Sequence, residues 1–341
     1  MTASANRRVH VAVLMGGPSH EHAISLRSGA TVCRVLGEHD CKTTSVVIDK
    51  GGQFQIDGGP PQNPCVAMSQ LIASGVDVAF PALHGEAGED GTIQGFLELC
   101  GLPYTFSGVE ASVLAMNKCA YKALLVQQGV PTAPFVIINR DEWQRSGSAS
   151  MESGLRKVGL PAFLKQPGLG SSYGVHRVAT EAEAVIALDS ILSSSKQALW
   201  EKEVSGVELT AAVVGDAEGE LEALPLVEIQ IPGNELFDTK RKYDGTANEI
   251  VPANVSDAVR DELQSIAVNI HRILGCRSLS RTDAILTDEG LMVLETNTIP
   301  GLTSESLFPK AAGDRFGLLL REMVDAAIQR PTPFDQGDVG G

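Results

Sequence analysis

Positive charge is scarce in this sequence of 341 residues, which has 27 Lys and Arg against 42 Asp and Glu and a formal net charge of −15. No long basic run interrupts this acidic balance. Nucleic acids and anionic membrane surfaces attract basic patches, so we expect neither as a partner. An apolar stretch long enough to span a bilayer is also missing, and the polar segment Met1–Arg8 does not resemble a secretory signal. We therefore expect a cytoplasmic protein that acts on small molecules.

Paired cysteines are missing as well. None of the six cysteines forms a Cys-x-x-Cys pair; they stand at Cys33, Cys41, Cys65, Cys100, Cys119 and Cys276. Several lie in apolar surroundings, as buried free thiols do. A disulfide framework or a zinc site is therefore not expected, and a reducing compartment fits the pattern.

Two glycine fingerprints of nucleotide-binding proteins are absent. The Gly-rich segment Gly168–Gly174 is not followed by Gly-Lys-Ser/Thr, which excludes a Walker loop. The spacing Gly-x-Gly-x-x-Gly is also missing, which argues against a dinucleotide-dependent oxidoreductase. The segment itself allows two readings, an ordinary hairpin loop or a lid whose backbone N–H groups cradle phosphate. Neither repeats nor low-complexity segments are visible.

The N-terminal part has the alternating pattern of an α/β protein. The apolar run Val9–Met15 predicts a buried parallel strand, followed by a helix from about Glu21 to Leu36 that Gly37 closes. A second strand is predicted at Val76–Leu83, with a helix that runs to about Leu99. This alternation predicts a doubly wound sheet with ligands at the carboxyl ends of its strands, where Glu21 and His84 lie.

The central part has weaker signals that each have a plain structural alternative. A helix is predicted from Ser107-Gly108 to Gly129, with Lys118 in its middle, where a solvated lysine is the usual case. Two antiparallel strands are predicted at Phe135–Asn139 and Ala162–Lys165, and a further strand at Ala198–Val204. The charge alternation at Glu201-Lys202-Glu203 fits a solvated edge strand, or a nucleotide hinge whose ribose ligand is Glu208.

Three oxygen-bearing side chains near the end of the chain give the strongest signal. Glu295 and Asn297 are two residues apart on a predicted strand, so both point to the same side, and Asp283 with Arg281 lies on the preceding segment. Hard divalent cations take oxygen ligands, and Mg²⁺ usually arrives bridged to nucleotide phosphates. These residues therefore predict a site for a metal-bound nucleotide.

Together with four other motifs, this segment resembles the ATP-grasp superfamily and, within it, the D-alanine–D-alanine ligase family. The resemblance runs from Val9 to about Leu320. The motifs that carry it are Gly16-Gly17-Pro18-Ser19-His20-Glu21-His22-Ala23-Ile24-Ser25-Leu26, Ala82-Leu83-His84-Gly85 with Gly88-Glu89-Asp90-Gly91-Thr92-Ile93-Gln94-Gly95, Gly170-Ser171-Ser172, Lys242-Tyr243, and Glu295 to Leu307.

The resemblance implies a three-domain ATP-grasp ligase, with α+β character in the ATP-grasp part. Its domains would be a Rossmann-like substrate domain at residues 1–106, a lid domain at 107–203, a catalytic and metal domain at 204–330, and a flexible tail at 331–341. The implied reaction joins two D-alanines with ATP, through an acyl phosphate, for peptidoglycan precursor synthesis.

The resemblance also implies roles for individual residues around the two D-alanines. Glu21 would hold the first ammonium group beside His84, and Ser171 and Tyr243 would hydrogen-bond with Glu21 and close the site. The reacting carbonyl would face Arg281 and the amide of Gly301. The second carboxylate would be bound by Lys242 and Ser306.

For ATP, the resemblance implies phosphate contacts, an adenine pocket, a ribose ligand and metal ligands. Lys118 and Lys165 would contact the phosphates, with Ser172 in the lid. Glu201, Lys202 and Val204 would frame the adenine, and Glu208 would bind the ribose. The metal ligands would be Asp283, Glu295 and Asn297. Two Mg²⁺ ions are implied, with Mn²⁺ as a substitute, K⁺ as a candidate monovalent cation, and a homodimer as the assembly.

Some features depart from the family pattern. Lys165-Gln166-Pro167 stands where Lys-Pro is usual, and Tyr173 replaces a small aliphatic residue in the lid. A related ligase for another amino acid or hydroxy acid would share the ATP half, so Glu21, Lys242, Tyr243 and Ser306 carry the discrimination. A degenerate, non-catalytic scaffold would predict losses among the metal residues and Arg281, which are all present.

Overall fold

The structure is a computed structural model that describes residues 7–170, 173–230 and 248–331. Its strands form three sheets, and the predicted mixed α/β class is confirmed. Across these residues, none of the helices combines the length and the apolar character needed to cross a bilayer. The expected tail lies outside the described residues from position 332 onward.

The first sheet has the order β3-β2-β1-β4. Strands β2 and β4 run parallel to β1, and β3 is antiparallel to β2. Neighbouring residues of β1 point into two different cores, one packed with α1 and the other with α2 and α3, so helices cover both faces. The elements are β1 (Val9–Gly16), α1 (His22–Glu38), β2 (Cys41–Ile48), β3 (Phe54–Ile56), α2 (Pro64–Ala73), β4 (Val78–Pro81) and α3 (Thr92–Leu99).

The second sheet is antiparallel, with the order β5-β8-β6-β7, and α6 and α7 contribute to its separate core. The elements of this part are α4 (Val109–Met116), α5 (Lys118–Gln127), β5 (Phe135–Asn139), α6 (Arg140–Lys157), β6 (Ala162–Lys165), β7 (Val175–Val178), α7 (Glu181–Ser194) and β8 (Gln197–Lys202).

The third sheet has the order β12-β11-β9-β13-β14, with β10 paired to β9, and it is also antiparallel. The remaining elements are β9 (Val207–Val214), β10 (Glu222–Ala223), β11 (Val227–Gln230), β12 (Asn248–Ile250), α8 (Asp257–Leu274), β13 (Leu279–Thr287), β14 (Gly290–Asn297), α9 (Leu307–Ala312), a 3₁₀ turn and α10 (Phe316–Gln329).

Several predicted boundaries are wrong for identifiable reasons. Helix α1 continues past Gly37 and is capped at His39. The single helix expected around Lys118 is two helices, because Asn117 leaves helical geometry and its side chain caps the start of α5. Lys118 is therefore the first residue of a helix and not in its middle. The edge-strand reading of β8 is wrong as well, since β8 lies between β5 and β6.

Candidate active site

One cleft gathers residues from the ends of β1 and β4, the start of α5, and strands β13 and β14 with the segment after β14. Eight of the predicted site residues line it: Glu21, His84, Lys118, Arg281, Glu295, Asn297, Gly301 and Ser306. Residues that are far apart in the sequence therefore meet here, as the ligand-binding reading of the first sheet expects.

His84 is fixed in one orientation at the floor of this cleft. Its ring is 4% exposed, with Nδ1 3.1 Å from the carbonyl oxygen of Ile299 and Nε2 2.8 Å from Ser28 Oγ. A carbonyl only accepts hydrogen bonds, so Nδ1 carries the proton and Nε2 accepts from the Ser28 hydroxyl. Burial lowers the pKa of His84, which keeps the ring neutral. His84 thus joins the loop after β4 to the segment after β14.

Glu21 lies at the start of α1, and its carboxylate is close to two glycines. A side-chain carbon placed on Gly85 would lie 2.9 Å from Glu21 Oε2, and one placed on Gly170 would lie 3.1 Å from it. Gly85 also has φ +72°, a conformation that disfavours other residues. The backbone N–H of Glu21 donates to Ser19 Oγ (3.1 Å), and the Ser19 hydroxyl donates to the His84 carbonyl (2.7 Å). The Glu21 carboxylate therefore lies directly beside Gly85 and Gly170, where a larger residue would collide with it.

Glu89 is a site residue that the sequence reasoning did not single out. It lines the cleft, and its two carboxyl oxygens accept from the backbone N–H groups of Gly85 (2.9 Å) and Ile299 (3.2 Å). Burial, reinforced by the charge of Glu21, raises the pKa of Glu89 to about 8, although the two N–H donors and Arg281 oppose this shift. Glu89 is thus a second connection between the two loops that His84 joins.

The predicted metal residues share one face of a β-hairpin. Asp283 pairs with Glu295 across the ladder, and Arg281 pairs with Asn297. A bulge falls beside this group, because Ala284 pairs with Val293 while Leu294 has no opposite residue. Residues that face each other or stand two apart on a ladder lie on the same side. The four side chains therefore cluster as the sequence predicts.

Asp283 organises this cluster. Arg281 binds it with both Nε (2.8 Å) and Nη2 (2.7 Å), Thr210 Oγ1 donates to it at 2.6 Å, and Asn297 Nδ2 at 3.1 Å. Asn297 uses its amide N–H₂ here, which leaves its amide oxygen available as a ligand. Arg281 is held rigidly at the cleft by its bidentate pairing.

The donor set fits a hard cation that shares its shell with phosphate. Within the described ranges, no three His, Cys, Asp or Glu side chains come together as a metal site. The protein offers instead two carboxylates, Asp283 and Glu295, and the amide oxygen of Asn297. Mg²⁺ is usually bound by one or two carboxylates together with substrate phosphates and water, so this set suits it.

Lys118 connects this cluster to the Gly-rich loop. Its ammonium group donates to the carbonyl of Leu169 (2.7 Å) and lies 3.7 Å from Glu295 Oε2. At the other side of the loop, the ring of Tyr173 stacks on His20, with ring centres 4.4 Å apart and an angle of 16°. In the described part of the loop, both ends therefore contact elements that border Glu21.

A buried ion-pair network lies at the meeting of α5, β6 and β8. The Glu201 carboxylate is 2% exposed and pairs with Lys165 (2.5 Å) at one oxygen and with Lys122 at the other. These two cations outweigh the effect of burial and lower the pKa of Glu201 to about 2. Burial also acts against the charge of Lys165, but Glu201 more than offsets it and raises the pKa of Lys165. Lys122 is the second residue that the sequence reasoning missed.

The other predicted nucleotide residues follow along the same path. Lys202 is exposed at the end of β8, Val204 lies in the segment before β9, and Glu208 is on β9, opposite Ile229 and Ile285. They line the route from the second sheet to the third. Like Asp283, Lys165 and Glu201, they are not among the described residues that line the cleft around Glu21.

The segment after β14 is compact around Gly301 and Ser306. Ser306 Oγ accepts from the backbone N–H of Thr303 (3.2 Å) and lies 2.8 Å from Thr303 Oγ1. A side-chain carbon on Gly301 would lie 2.5 Å from Ser306 Oγ, so glycine is required for this approach. The remaining predicted site residues, Ser171, Ser172, Lys242 and Tyr243, lie outside the described residues.

Comparisons with known proteins agree over almost the whole chain. A family model described as D-ala D-ala ligase C-terminus matches residues 124–329, and one described as D-ala D-ala ligase N-terminus matches residues 10–72 and 65–107.

Individual relatives match over similar lengths. The D-alanine–D-alanine ligase of Syntrophobacter fumaroxidans is 38% identical over 333 residues, which covers 95% of this chain and 99% of that protein. The D-alanine–D-alanine ligase of Pelotomaculum thermopropionicum is also 38% identical, with 94% and 96% covered. The structure of the D-alanine–D-alanine ligase from Coxiella burnetii superposes with a TM-score of 0.77 at 27% identity, with 95% and 96% covered.

The motifs, the cleft that brings them together, and matches to both halves of the chain lead to one conclusion: this protein belongs to the D-alanine–D-alanine ligase family.

Proposed function

We propose that this protein joins two D-alanine molecules into D-alanyl-D-alanine at the expense of ATP, for peptidoglycan precursor synthesis. The observation that carries the proposal is the meeting of Glu21, Arg281 and the Glu295–Asn297 pair in one cleft. These residues supply a carboxylate for an ammonium group, a cation for a carboxylate or oxyanion, and oxygen ligands for a metal-bound nucleotide. Such a combination suits a ligase that activates an amino acid with ATP.

Activation of the first substrate explains the need for ATP. A carboxylate resists attack because its negative charge repels nucleophiles. In the first step, a carboxylate oxygen of the first D-alanine attacks the γ-phosphorus of ATP, and the bond to the β,γ-bridging oxygen breaks. The products are ADP and an acyl phosphate with a good leaving group. Glu21 would orient this substrate through its ammonium group, with the neutral His84 beside it.

The charge on the phosphates needs compensation from the protein and its metal. Lys118 and Lys165 would contact the phosphates, with Ser172 in the lid; Asp283, Glu295 and Asn297 would hold two Mg²⁺ ions, for which Mn²⁺ can substitute. When bound, such ions offset phosphate charge and align the transferred group. Glu201, Lys202 and Val204 would frame the adenine, and Glu208 would bind the ribose.

The second step forms the peptide bond. The neutral amine of the second D-alanine attacks the acyl carbon and a C–N bond forms. The C–O bond to phosphate breaks, and the departing phosphate takes up the proton that the amine loses. A tetrahedral oxyanion develops on the way, and Arg281 with the Gly301 amide would stabilise it. Loss of one such donor typically costs about 3–4 kcal/mol. The bidentate hydrogen bonds from Arg281 to Asp283 support this role, because they fix the guanidinium group before the substrate binds.

Water must stay away from the acyl phosphate, which hydrolyses easily. We propose that the Gly-rich loop closes over the cleft, with Ser171 and Tyr243 tied to Glu21. The close approach of Gly170 to the Glu21 carboxylate supports this closure. Lys242 and Ser306 would bind the carboxylate of the second substrate.

The larger organisation follows from the same reading. We propose a Rossmann-like substrate domain at residues 1–106, a lid domain at 107–203, a catalytic domain at 204–330 and a flexible tail at 331–341. The separate core of the second sheet and the helices on both faces of the first sheet support this division, while α4 and α5 share a core with α8 and β14. A homodimer in the cytoplasm is the proposed working form, and K⁺ is a candidate activator.

The test is a coupled measurement with the purified protein, ATP and Mg²⁺. We expect D-alanine to trigger phosphate release and mass spectrometry to find one D-alanyl-D-alanine for each phosphate. A panel of D-amino acids and D-lactate as second substrates distinguishes this ligase from relatives that make other products. ATP turnover indifferent to every D-amino acid would refute the ligase function.

A further inference from the structure

Lys122 is a buried cation next to the proposed nucleotide site, and the proposed reaction gives it no role. Its side chain is 1% exposed on the inner face of α5. Its ammonium group contacts three acceptors, which are the Glu201 carboxylate on β8, the hydroxyl of Thr132 and the carbonyl of Val293 on β14 at 3.0 Å. Thr132 itself donates to the Val293 carbonyl at 2.7 Å.

This arrangement gives one buried carboxylate two cations. Lys165 Nζ lies 2.5 Å from Glu201 Oε2, and Lys122 occupies the other carboxyl oxygen. The two lysines are not equivalent, however. Lys165 is 17% exposed and ends β6 at the mouth of the Gly-rich loop, whereas Lys122 is enclosed and tied to two further acceptors. Of the two cations, Lys165 is therefore the one that a ligand can reach, while Lys122 has more partners and less exposure.

We propose that Lys122 is a positioning residue that serves as the permanent counter-ion of Glu201, so that Lys165 can leave Glu201 and bind the phosphates of ATP. This inference rests on the proposed function, in which Lys165 is a phosphate ligand.

The physical reason is the cost of an unpaired buried charge. A carboxylate that is buried without a partner destabilises its surroundings strongly, and the penalty exceeds that of removing both partners together. If Lys165 were the only partner of Glu201, the binding of each nucleotide would leave the buried carboxylate without a cation. With Lys122 in place, Glu201 keeps a partner throughout, and Lys165 moves at little cost.

The bond to Val293 extends this role towards the metal residues. Val293 stands two positions before Glu295 on β14 and next to the bulge at Leu294. The ammonium group of Lys122 thus fixes the adenine strand β8 and the metal strand β14 to the same helix. Correct spacing of adenine and metal ligands is a requirement for in-line phosphoryl transfer.

The experiment is a double-mutant cycle on nucleotide binding. The variants are Lys122→Met, Glu201→Gln and their combination, and the measurement is the Kd of Mg-ATP by calorimetry in the absence of D-alanine. We expect Lys122→Met to raise Kd by at least about tenfold when Glu201 is present, because Lys165 is then held by an otherwise unpaired carboxylate. In the Glu201→Gln background the same change should alter Kd less than about threefold, because no carboxylate remains to be stranded.

A stability control separates positioning from a merely structural effect. Leu188→Ala removes a fully buried side chain from the core of the second sheet and leaves all three members of the ion pair in place. It should lower the Tm and leave Kd unchanged. If Lys122→Met fails to fold, Lys122→Gln replaces it, and the combined variant, from which both the Glu201 carboxylate and the Lys122 ammonium group are missing, still gives one side of the cycle.

The outcomes are distinct. An equal Kd change in both backgrounds, or a Tm loss with unchanged Kd, would overturn the role of Lys122. A wild-type protein that does not bind Mg-ATP would instead refute the proposed function. Steady-state kinetics add a further readout, since the KM for ATP should rise more than the KM for D-alanine.

Discussion

At the scale of single residues, Glu295 has the most direct predicted effect. Its carboxylate lies in the cleft between Lys118 and the Asp283–Asn297 cluster. Replacement by Gln keeps the shape of the side chain but removes the charge that a divalent cation requires. We expect kcat to fall by at least about 100-fold, because a metal ion supplies several kcal/mol of charge stabilisation. The binding of Mg-ATP, measured by calorimetry, should weaken in parallel.

Glu289 offers a matched control on the same hairpin. It is exposed in the turn between β13 and β14, so Glu289→Gln removes one acidic charge at a distance from the cleft. Its kinetics should equal those of the wild type. Normal turnover in Glu295→Gln would remove the metal assignment.

Glu89 gives a prediction on pH dependence. Its pKa of about 8 lies above the ordinary value of 4.5, so between these values the folded protein holds a proton that the unfolded chain has lost. Folding is therefore favoured at low pH, and this contribution is lost as pH rises towards 8. Glu89→Gln does not titrate, so its Tm relative to the wild type should improve steadily from pH 5.5 to 8.5.

The exposed neighbour Glu86 serves as the control for this pH series. Glu86→Gln should keep a constant Tm difference from the wild type over the same range. Thermal unfolding followed by circular dichroism provides both comparisons. A Tm difference for Glu89→Gln that does not change with pH would contradict a raised pKa at this carboxyl group.

The sequence indicates which side chains lie together where these residues are close neighbours along one strand. Glu295 and Asn297 stand two apart on one strand, and this spacing alone indicates their shared face. Glu89 and Lys122 could not be recognised in this way. A glutamate in a loop, such as Glu89 after β4, and a lysine on a helix, such as Lys122, usually lie in solvent. Their burial depends on Ile299 and on Glu201, which are remote in sequence.

At the scale of elements, the sequence predicted the position of the helices and strands with strong periodicity. It did not predict which strands pair with each other. The helix predicted to begin near Glu21 is found as α1, for which Glu21 is the N-cap. The alternating charges of β8 allowed either an edge strand or a nucleotide hinge, and the edge reading is wrong, because Glu201 points into the interior, where Lys122 and Lys165 neutralise it. Strands β5 and β6 were expected to form an antiparallel pair, but each pairs with β8. Such pairings depend on contacts that no local pattern contains.

The contact between Tyr173 and His20 is a feature at the scale of elements, because it joins two loops. It joins the loop after β6 to the loop after β1, next to Glu21. Stacked aromatic rings contribute roughly 0.5–1.5 kcal/mol, which shifts an open–closed equilibrium about two- to tenfold. We expect Tyr173→Val to leave the loop open more often, so that water reaches the acyl phosphate. The ratio of phosphate to dipeptide should then exceed one, and the amount by which it exceeds one should grow by a factor in this range.

Two further variants define what this ratio reports. Tyr173→Phe keeps the ring and should keep the ratio of the wild type, whereas His20→Ala should resemble Tyr173→Val. The double variant should be no worse than either single one, because both remove the same contact. If Tyr173→Val still forms one dipeptide for each phosphate released, the stack does not hold the loop closed.

At the scale of the whole molecule, the cores are shared unevenly among the three sheets. One core includes β1 and α1 of the first sheet, β9 and β13 of the third sheet, and helix α10. The second sheet has a core of its own with α7. The first and third sheets are thus joined by buried side chains, while the second sheet is built as a separate unit. A lid must open for substrates, and a separate core permits such movement.

Two matched core variants test this organisation. Leu320 on α10 and Leu188 on α7 are both fully buried, and each change to alanine should cost about 2–5 kcal/mol. Because Leu320 belongs to the shared core, Leu320→Ala should increase hydrogen exchange in β1 and β4 as well as in β9 and β13. Leu188→Ala should increase exchange mainly between Phe135 and Lys202, since its contacts stay within the second sheet. Exchange that rises equally throughout the molecule in both variants would contradict a separate lid domain at residues 107–203, and the water-exclusion step would then need a smaller moving part, such as the Gly-rich loop alone.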